Sequence, residues 1–219
     1  LGLGTVQFGL DYGISNPAGK TSPSQVSEIL ALAKGAGIHV LDTAAAYGES
    51  EQVLGNVLPP GDSAFSIVTK IPKIGAPVVT DAILQGMEES FQGSLHKLGR
   101  ASVYGLLLHS AGDLLCEGGV RVYERLLDFQ KRGLVKKIGV SVYDQREIDA
   151  VCGRYPIQLI QLPFNVFDQR LVRSGALKLL AEKGIEVHAR SAFLQGLLLM
   201  DPQTLPSHFG ATVRQQLAR

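Results

Sequence analysis

Residues 41–51 read LDTAAAYGESE: an apolar run ends on Asp42, a tyrosine follows at 47, and glutamates stand at 49 and 51. On its own the stretch is a strand turning into a helix, with Asp42 placed as a cap and Tyr47 packed across the loop. Its neighbours decide otherwise. Polar side chains also stand at the C-terminal ends of other β-leaning runs, at Lys70, His109, Ser141 and Arg190. An open doubly wound sheet gathers its site mainly at one switch point, whereas chemistry at the ends of many strands is the habit of a closed (β/α)8 barrel.

The rest of the chain fits that architecture. The runs "LGLGTVQF", "HVLDTA", "FSIVTKI", "VYGLLLHS", "VKKIGVSV", "IQLIQLPF" and "EVHARSA" read as strands, with segments of helical period between them. "SPSQVSEILALAKGAG" opens on a Ser/Pro start signal and closes at Gly35 and Gly37. "GESEQVLGNVL" is shorter and is stopped by Pro59 and Pro60. Strict alternation predicts a parallel sheet with helical crossovers. The expected fold is α/β, a (β/α)8 TIM barrel, in a single domain over residues 1–219. No eighth strand follows "HARSAFLQGLLLMDP", and the tail "SHFGATVRQQLAR" reads as one more helix. Seven strands alone leave two raw edges facing each other, and a typical barrel takes about 250 residues. The segment carrying the eighth strand is therefore expected beyond this chain, and the true start before Leu1.

Composition narrows the function. With 219 residues, 45% of them hydrophobic, 19% charged and a net charge of +1, the chain is globular and can bury a sizeable core. No basic excess points to nucleic acid, and no stretch is long and apolar enough to span a bilayer. Cys116 and Cys152 have no metal-ligand spacing and form no CxxC, so free thiols in a reducing compartment, a cytoplasmic location and no metal site are expected. "GLGTVQFG" lacks the third glycine of a GxGxxG loop, and no helix is expected directly after it, so the dinucleotide fingerprint fails. Its glycines instead allow close approach of backbone or ligand.

Asp42, Tyr47, Lys70 and His109 each have a plain structural reading: a cap, a packed ring, a snorkelling amine and a core imidazole. Together they fall at or just past the ends of the second, third and fourth strands, which are neighbours in a barrel. A carboxylate beside a lysine keeps the amine charged. That charge beside a phenol is expected to lower its pKa from about 10. A histidine across the site can orient a carbonyl oxygen or relay a proton. The set suits proton transfer to an oxygen that becomes an alkoxide.

In order and spacing, "LGLGTVQFG", "LDTAAAYGESEQVLG", "IVTK", "LLLHS", "KKIGVSVYD" and "SAFLQGLLL" resemble the aldo-keto reductase superfamily over nearly the whole chain. The resemblance implies a barrel that binds extended NADPH without a Rossmann fold and reduces an aldehyde or ketone. It makes Tyr47 the general acid, Lys70 its tuning group, Asp42 the partner of Lys70, and His109 the group that orients the carbonyl. It further implies a cofactor site made by Gly4, Thr5, Asp42, Ser141, Gln161, Arg190, Ser191, Phe193, Gln195 and Gly196. Gly4 and Thr5 would stand near the nicotinamide and its ribose, Ser141 and Gln161 would hold the carboxamide, and Ser191, Phe193, Gln195 and Gly196 would wrap the pyrophosphate. Strand-end capping and ordinary turn chemistry are the rival readings of these positions. Arg190 departs from the pattern, since many members stack an aromatic ring on the nicotinamide there. A guanidinium can stack too, but beside a cationic oxidised ring it is less welcome, so cofactor affinity or redox preference is expected to shift. Gln7, Phe8 and Tyr12 are expected to line the entrance. A nucleotide-binding regulatory or sensor barrel with little turnover is the alternative reading, and an unrelated phosphate-handling barrel is a third. Nothing in the pattern sets an oligomeric state.

Overall fold

The computed structural model describes residues 1–59 and 61–218. Pro60, the second residue of the Pro59–Pro60 stop, and Arg219, the end of the 1–219 domain, lie outside the described residues. Strand β1 (Gly2–Gly4) is followed by a one-turn helix α1 (Val6–Gly9) and then by α2 (Pro23–Gly35). The next units are β2 (Val40–Asp42) with α3 (Ser50–Val57), and β3 (Ser66–Ile71) with α4 (Asp81–Leu98). β4 (Val103–Leu108) leads to α5 (Gly112–Leu115) and α6 (Gly119–Lys131), and β5 (Val135–Ser141) to α7 (Gln145–Cys152). β6 (Leu159–Pro163) precedes α8 (Arg170–Arg173) and α9 (Ala176–Glu182), and β7 (Glu186–Arg190) precedes the tail helix α10 (Ala211–Leu217).

The local causes are those the sequence displays. Ser22 and Gln25 form a reciprocal capping box at the start of α2, with Pro23 in its first turn. Asp144 accepts from the Glu147 amide at 3.0 Å to start α7. Gly99 ends α4 at φ 61°, in the left-handed region. One expectation fails at the start of the chain. The run "LGLGTVQF" does not stay extended: β1 stops at Gly4, and a helical turn opens directly after Thr5. Thr5 itself is held by its amide (2.9 Å) and hydroxyl (3.0 Å), both donating to the Asp42 carbonyl. That clip ends the strand.

All seven strands are parallel and hydrogen-bonded in chain order, so β1 and β7 are the two edges. Contacts across the concave face show how far the sheet rolls. Gln161 on β6 donates to Asp42 on β2 at 2.8 Å, although three strands separate them. On β7, Glu186 accepts from Tyr104 of β4 at 2.6 Å and pairs with Lys137 of β5 at 2.5 Å. This is seven-eighths of a (β/α)8 barrel, as expected, and no eighth strand occurs among the described residues.

Alternation along the strands makes two cores. Val68, Leu107 and Leu159 fill the inside of the roll. Leu106, Leu108, Ile138, Val140 and Ile160 face outward and are fully buried beneath the helices. Each contributes about 1.5–3 kcal/mol relative to exposure. Helix α6 turns Val122, Leu126 and Phe129 onto that layer, and Phe129 meets Phe91 of α4 with ring centroids 4.8 Å apart. The inner face at the C-terminal ends is left for polar side chains.

Candidate active site

Lys70 is the second-last residue of β3. Its partner in register on β4 is Leu107, an interior residue, so its side chain also points inward. It is only 1% exposed. Its ammonium donates to Asp42 Oδ1 at 2.7 Å, to the Thr43 carbonyl at 2.8 Å and to the Tyr47 hydroxyl at 3.4 Å. It also lies 4.9 Å from the centre of the Tyr47 ring. His109, just past the end of β4, meets that ring edge-on at 6.0 Å and 77°. The four residues, taken from three strand ends, therefore converge.

Asp42 is held from several sides. Gln161 shares its Oδ1 with Lys70, and Thr5 binds its carbonyl. The buried Ser50 hydroxyl, at the start of α3, lies 2.8 Å from Thr5 Oγ1 and 3.1 Å from Thr43 Oγ1. Behind it, Thr69 donates to the buried Glu51 at 2.6 Å, which fixes α3 against β3. Ser50 and Glu51, which the sequence presents only as a helix opening, are thus the underside of the site. Serine, threonine and glutamate at a helix start are too common for that role to show without the fold.

The electrostatics differ from the expectation in one respect. The Tyr47 phenol is pushed up to about 12, not down: burial is the larger cause and the Asp42 carboxylate the next, while Arg190 opposes them. Charge pairing is visible in sequence, but loss of water is not. Burial likewise lowers the Lys70 amine, against the pull of Asp42. Burial, and then the charge of Lys70, lowers His109 below the usual histidine value. The arrangement is a phenol and an imidazole that burial keeps neutral near pH 7, beside the Lys70–Asp42 pair. It can give a proton to an oxygen and hold that oxygen while charge develops on it.

The expected cofactor positions separate into groups. Ser141 and Gln161 are partners in register at the ends of β5 and β6, both buried on the concave face. Gly4 pairs with Asp42, and a methyl group added there would meet nothing within 4 Å. Thr5 lies beneath, its hydroxyl committed to Asp42 and Ser50. Ser191, Phe193, Gln195 and Gly196 occupy the exposed loop after β7, where Ser191, Leu194, Gln195 and Gly196 all have positive φ. That loop is joined to the one after α1: the Ile14 amide donates to the Gln195 carbonyl at 2.9 Å. Phe8 does not line the entrance. The α1 turn carries it into the outer core, where it is 3% exposed. Gln7 instead donates to the Tyr12 carbonyl at 2.8 Å, and Tyr12 stays half-exposed beside Tyr47 and Arg190. Tyr143, which carries Arg190 on its ring at 4.3 Å, was not singled out by the sequence. It lies in the loop after β5 and Arg190 at the end of β7, so only the roll of the sheet brings them together.

The open space over Gly4 and the buried, unpartnered Nε of Arg190 fit a planar, hydrogen-bonding group lying across the strand ends. Among the described residues no cluster of metal-ligating side chains occurs, and no helix is long and apolar enough to cross a membrane.

A parallel (β/α) barrel with lysine, carboxylate, phenol and imidazole joined at its C-terminal mouth defines the class of protein. The family model described as aldo/keto reductase family matches residues 1–217, and the chain belongs to that family. An uncharacterized oxidoreductase of Schizosaccharomyces pombe is 29% identical over 193 residues, which are 83% of this chain and 63% of that protein. The chain thus spans less than two thirds of that curated relative's length. Among solved structures, an aldo-keto reductase of Pseudomonas aeruginosa is similar, with 26% identity, a TM-score of 0.69, and coverage of 86% of this chain and 70% of that one. An aldo-keto reductase of Klebsiella pneumoniae in complex with NADPH shares the fold, with 22% identity, a TM-score of 0.71, and coverage of 94% and 68%.

Proposed function

We propose that this chain belongs to an NADPH-dependent oxidoreductase that reduces an aldehyde or ketone to an alcohol. The observation that carries the reading is the single ammonium of Lys70 joined to both Asp42 and the Tyr47 hydroxyl, with His109 against the same ring. Ser141, Gln161, Gly4 and the loop from Ser191 to Gly196 are the residues that would hold the cofactor, and the bound form of the Klebsiella relative supports NADPH as its identity. Reduced nicotinamide, when bound, supplies the hydride that adds to the carbonyl carbon.

The chain's own residues do the rest. Neutral His109 donates a hydrogen bond to the carbonyl oxygen and sets its direction. Tyr47 transfers its proton to that oxygen as negative charge grows on it, and Lys70 stabilises the phenolate left behind. Asp42 and the Thr43 carbonyl hold the ammonium in place. Tyr12, Tyr143 and Arg190 border the mouth, so a small carbonyl compound with polar or aromatic substituents fits it. Both cysteines are free thiols, in keeping with a cytoplasmic location.

One observation favours a second reading. A phenol raised to about 12 is a weak acid, which suits a sensor that holds the nucleotide and turns over slowly. Mixing the protein with NADPH and 4-nitrobenzaldehyde separates the two. Steady loss of NADPH absorbance supports the reductase. Quenched cofactor fluorescence with constant absorbance supports the sensor, and no response of either kind rules out both.

A further inference from the structure

Arg190 is the last residue of β7, in register with Pro163 of β6. Leu159, Gln161 and Pro163 share one face of β6: Leu159 lies in the inner core, and Gln161 reaches Asp42 across the roll. Arg190 therefore enters the mouth from the inner face. Its position there is fixed. The guanidinium carbon stands 4.3 Å over the Tyr143 ring, Nη2 donates to the Val142 carbonyl at 3.4 Å, and Nε is buried without a partner. A guanidinium is charged at every working pH.

The charges around it do not cancel this one. Lys70 is matched by Asp42 at 2.7 Å. His109 is neutral near pH 7, being lowered first by burial and then by Lys70. Tyr47 and Tyr12 are phenols raised first by burial and so stay uncharged. Among the described residues Arg190 joins no ion pair; the other carboxylates that act on the site, Glu51 and Asp113, accept from Thr69 and from the Ile74 and Gly75 amides, so neither pairs with the guanidinium.

On the reading given under Proposed function, the carbonyl oxygen faces Tyr47 and His109, so the hydride donor must lie in the same mouth. The inner-face groups suited to an amide there are Ser141 and Gln161, and Arg190 borders them on the next strand. A bound reduced nicotinamide would supply hydride, with both electrons, to the carbonyl carbon. Tyr47 would give its proton to the oxygen, and the spent cofactor would carry a positive ring. We propose that Arg190 sets the relative affinity of this site for the two cofactor forms: its clamped charge favours the neutral reduced ring over the oxidised cation and eases release of the spent cofactor. The inference rests on the nicotinamide reading and adds an order of cofactor affinity to it.

The test compares dissociation constants for NADPH and NADP+ by calorimetry in wild type, Arg190→Lys and Arg190→Gln. Wild type should bind NADPH at least tenfold more tightly than NADP+. Arg190→Gln should narrow that ratio about tenfold, chiefly by gaining NADP+ affinity, and Arg190→Lys should keep most of it. Equal effects of Arg190→Gln on both forms would overturn the inference. A wild-type ratio near one would do the same. Should the Gln variant fail to fold, the bound couple of the wild type serves alone. A tenfold ratio moves its potential about 30 mV positive of the free couple, and an unmoved potential counts against the proposal. If wild type binds neither dinucleotide, it is the nicotinamide reading that fails.

Discussion

Replacing Tyr47 by phenylalanine removes one oxygen and little else, and the structure says how unequal the consequences should be. The hydroxyl has one protein partner, Lys70, at 3.4 Å, near the outer limit of a hydrogen bond. Losing it should cost about 0.5–1 kcal/mol of stability. The ring's edge-on contact with His109 and its place under the ammonium survive in phenylalanine. Catalysis should suffer far more, because general acids contribute about 10²–10⁴ in rate, roughly 3–5 kcal/mol of barrier. The assay is NADPH oxidation at saturating aldehyde, with urea denaturation and cofactor affinity measured on the same preparations. The expected pattern is a kcat lowered at least a hundredfold, NADPH affinity within about twofold, and a nearly unchanged midpoint. Turnover within tenfold of wild type would refute the assignment of Tyr47 as proton donor. The wild-type pH profile adds an independent check. A phenol held at about 12 is fully protonated through pH 10, so it should give no alkaline decline of its own below that range. A break near pH 9 assigned to Tyr47 would mean that its burial is not what the structure shows.

Further expectations concern the residues that support the site. Lys70→Met leaves the Asp42 carboxylate with Gln161 alone; breaking a buried pair costs about 3–5 kcal/mol, and the 22% exposure of the Asp42 side chain should soften that to about 1–3, seen in urea denaturation alongside loss of activity. Burial would raise the Glu186 carboxyl, but hydrogen bonds from Lys137, Tyr104 and His188 outweigh it and hold the group at about 2 against an ordinary 4.5. That stabilisation is complete above pH 4.5 and is lost as the pH falls toward 2. Wild type should therefore lose about 2–3 kcal/mol over that window, and a Glu186→Gln variant with an identical acid slope would contradict the assignment. At Gly139 an added methyl group would run into the Leu159 carbonyl and lie 2.8 Å from Leu107 Cδ2, so Gly139→Ala should destabilise by about 3 kcal/mol or prevent folding. Gly86, exposed within α4 with nothing near it, should behave oppositely, and Gly86→Ala should raise stability by about 0.5–1 kcal/mol in thermal melts.

The parts of this molecule legible in the sequence are those governed by local rules. Strand-to-helix alternation, the Ser/Pro start of α2 and the polar residues at or just past the ends of several strands come from periodicity and turn chemistry. Through parallel order they placed Asp42, Lys70 and His109 together. What stayed hidden depends on the third dimension. The turn at Val6–Gly9 exists because Thr5 is clipped to a strand that follows some 37 positions later, and that turn is what sends Phe8 inward. The sign of the Tyr47 shift depends on excluded water. The stacking of Arg190 on Tyr143 joins the end of β7 to the loop after β5, a strand that is not its neighbour.

The join between the loops after α1 and β7 has a consequence for how the sequence is free to drift. The Gln195 carbonyl accepts from the amides of Ile14 and Ser15, at 2.9 and 3.4 Å, so this connection is made by main chain and is blind to most side chains. Substitution at 14 should leave it standing, and at 195 any residue that tolerates the left-handed φ of 58° should do so too. Gly196 is different, because any side chain there would collide with Ser15, and its φ of 87° already disfavours one. A fastening of this kind lets the mouth vary in character from one descendant to another while a single position keeps its two lips together.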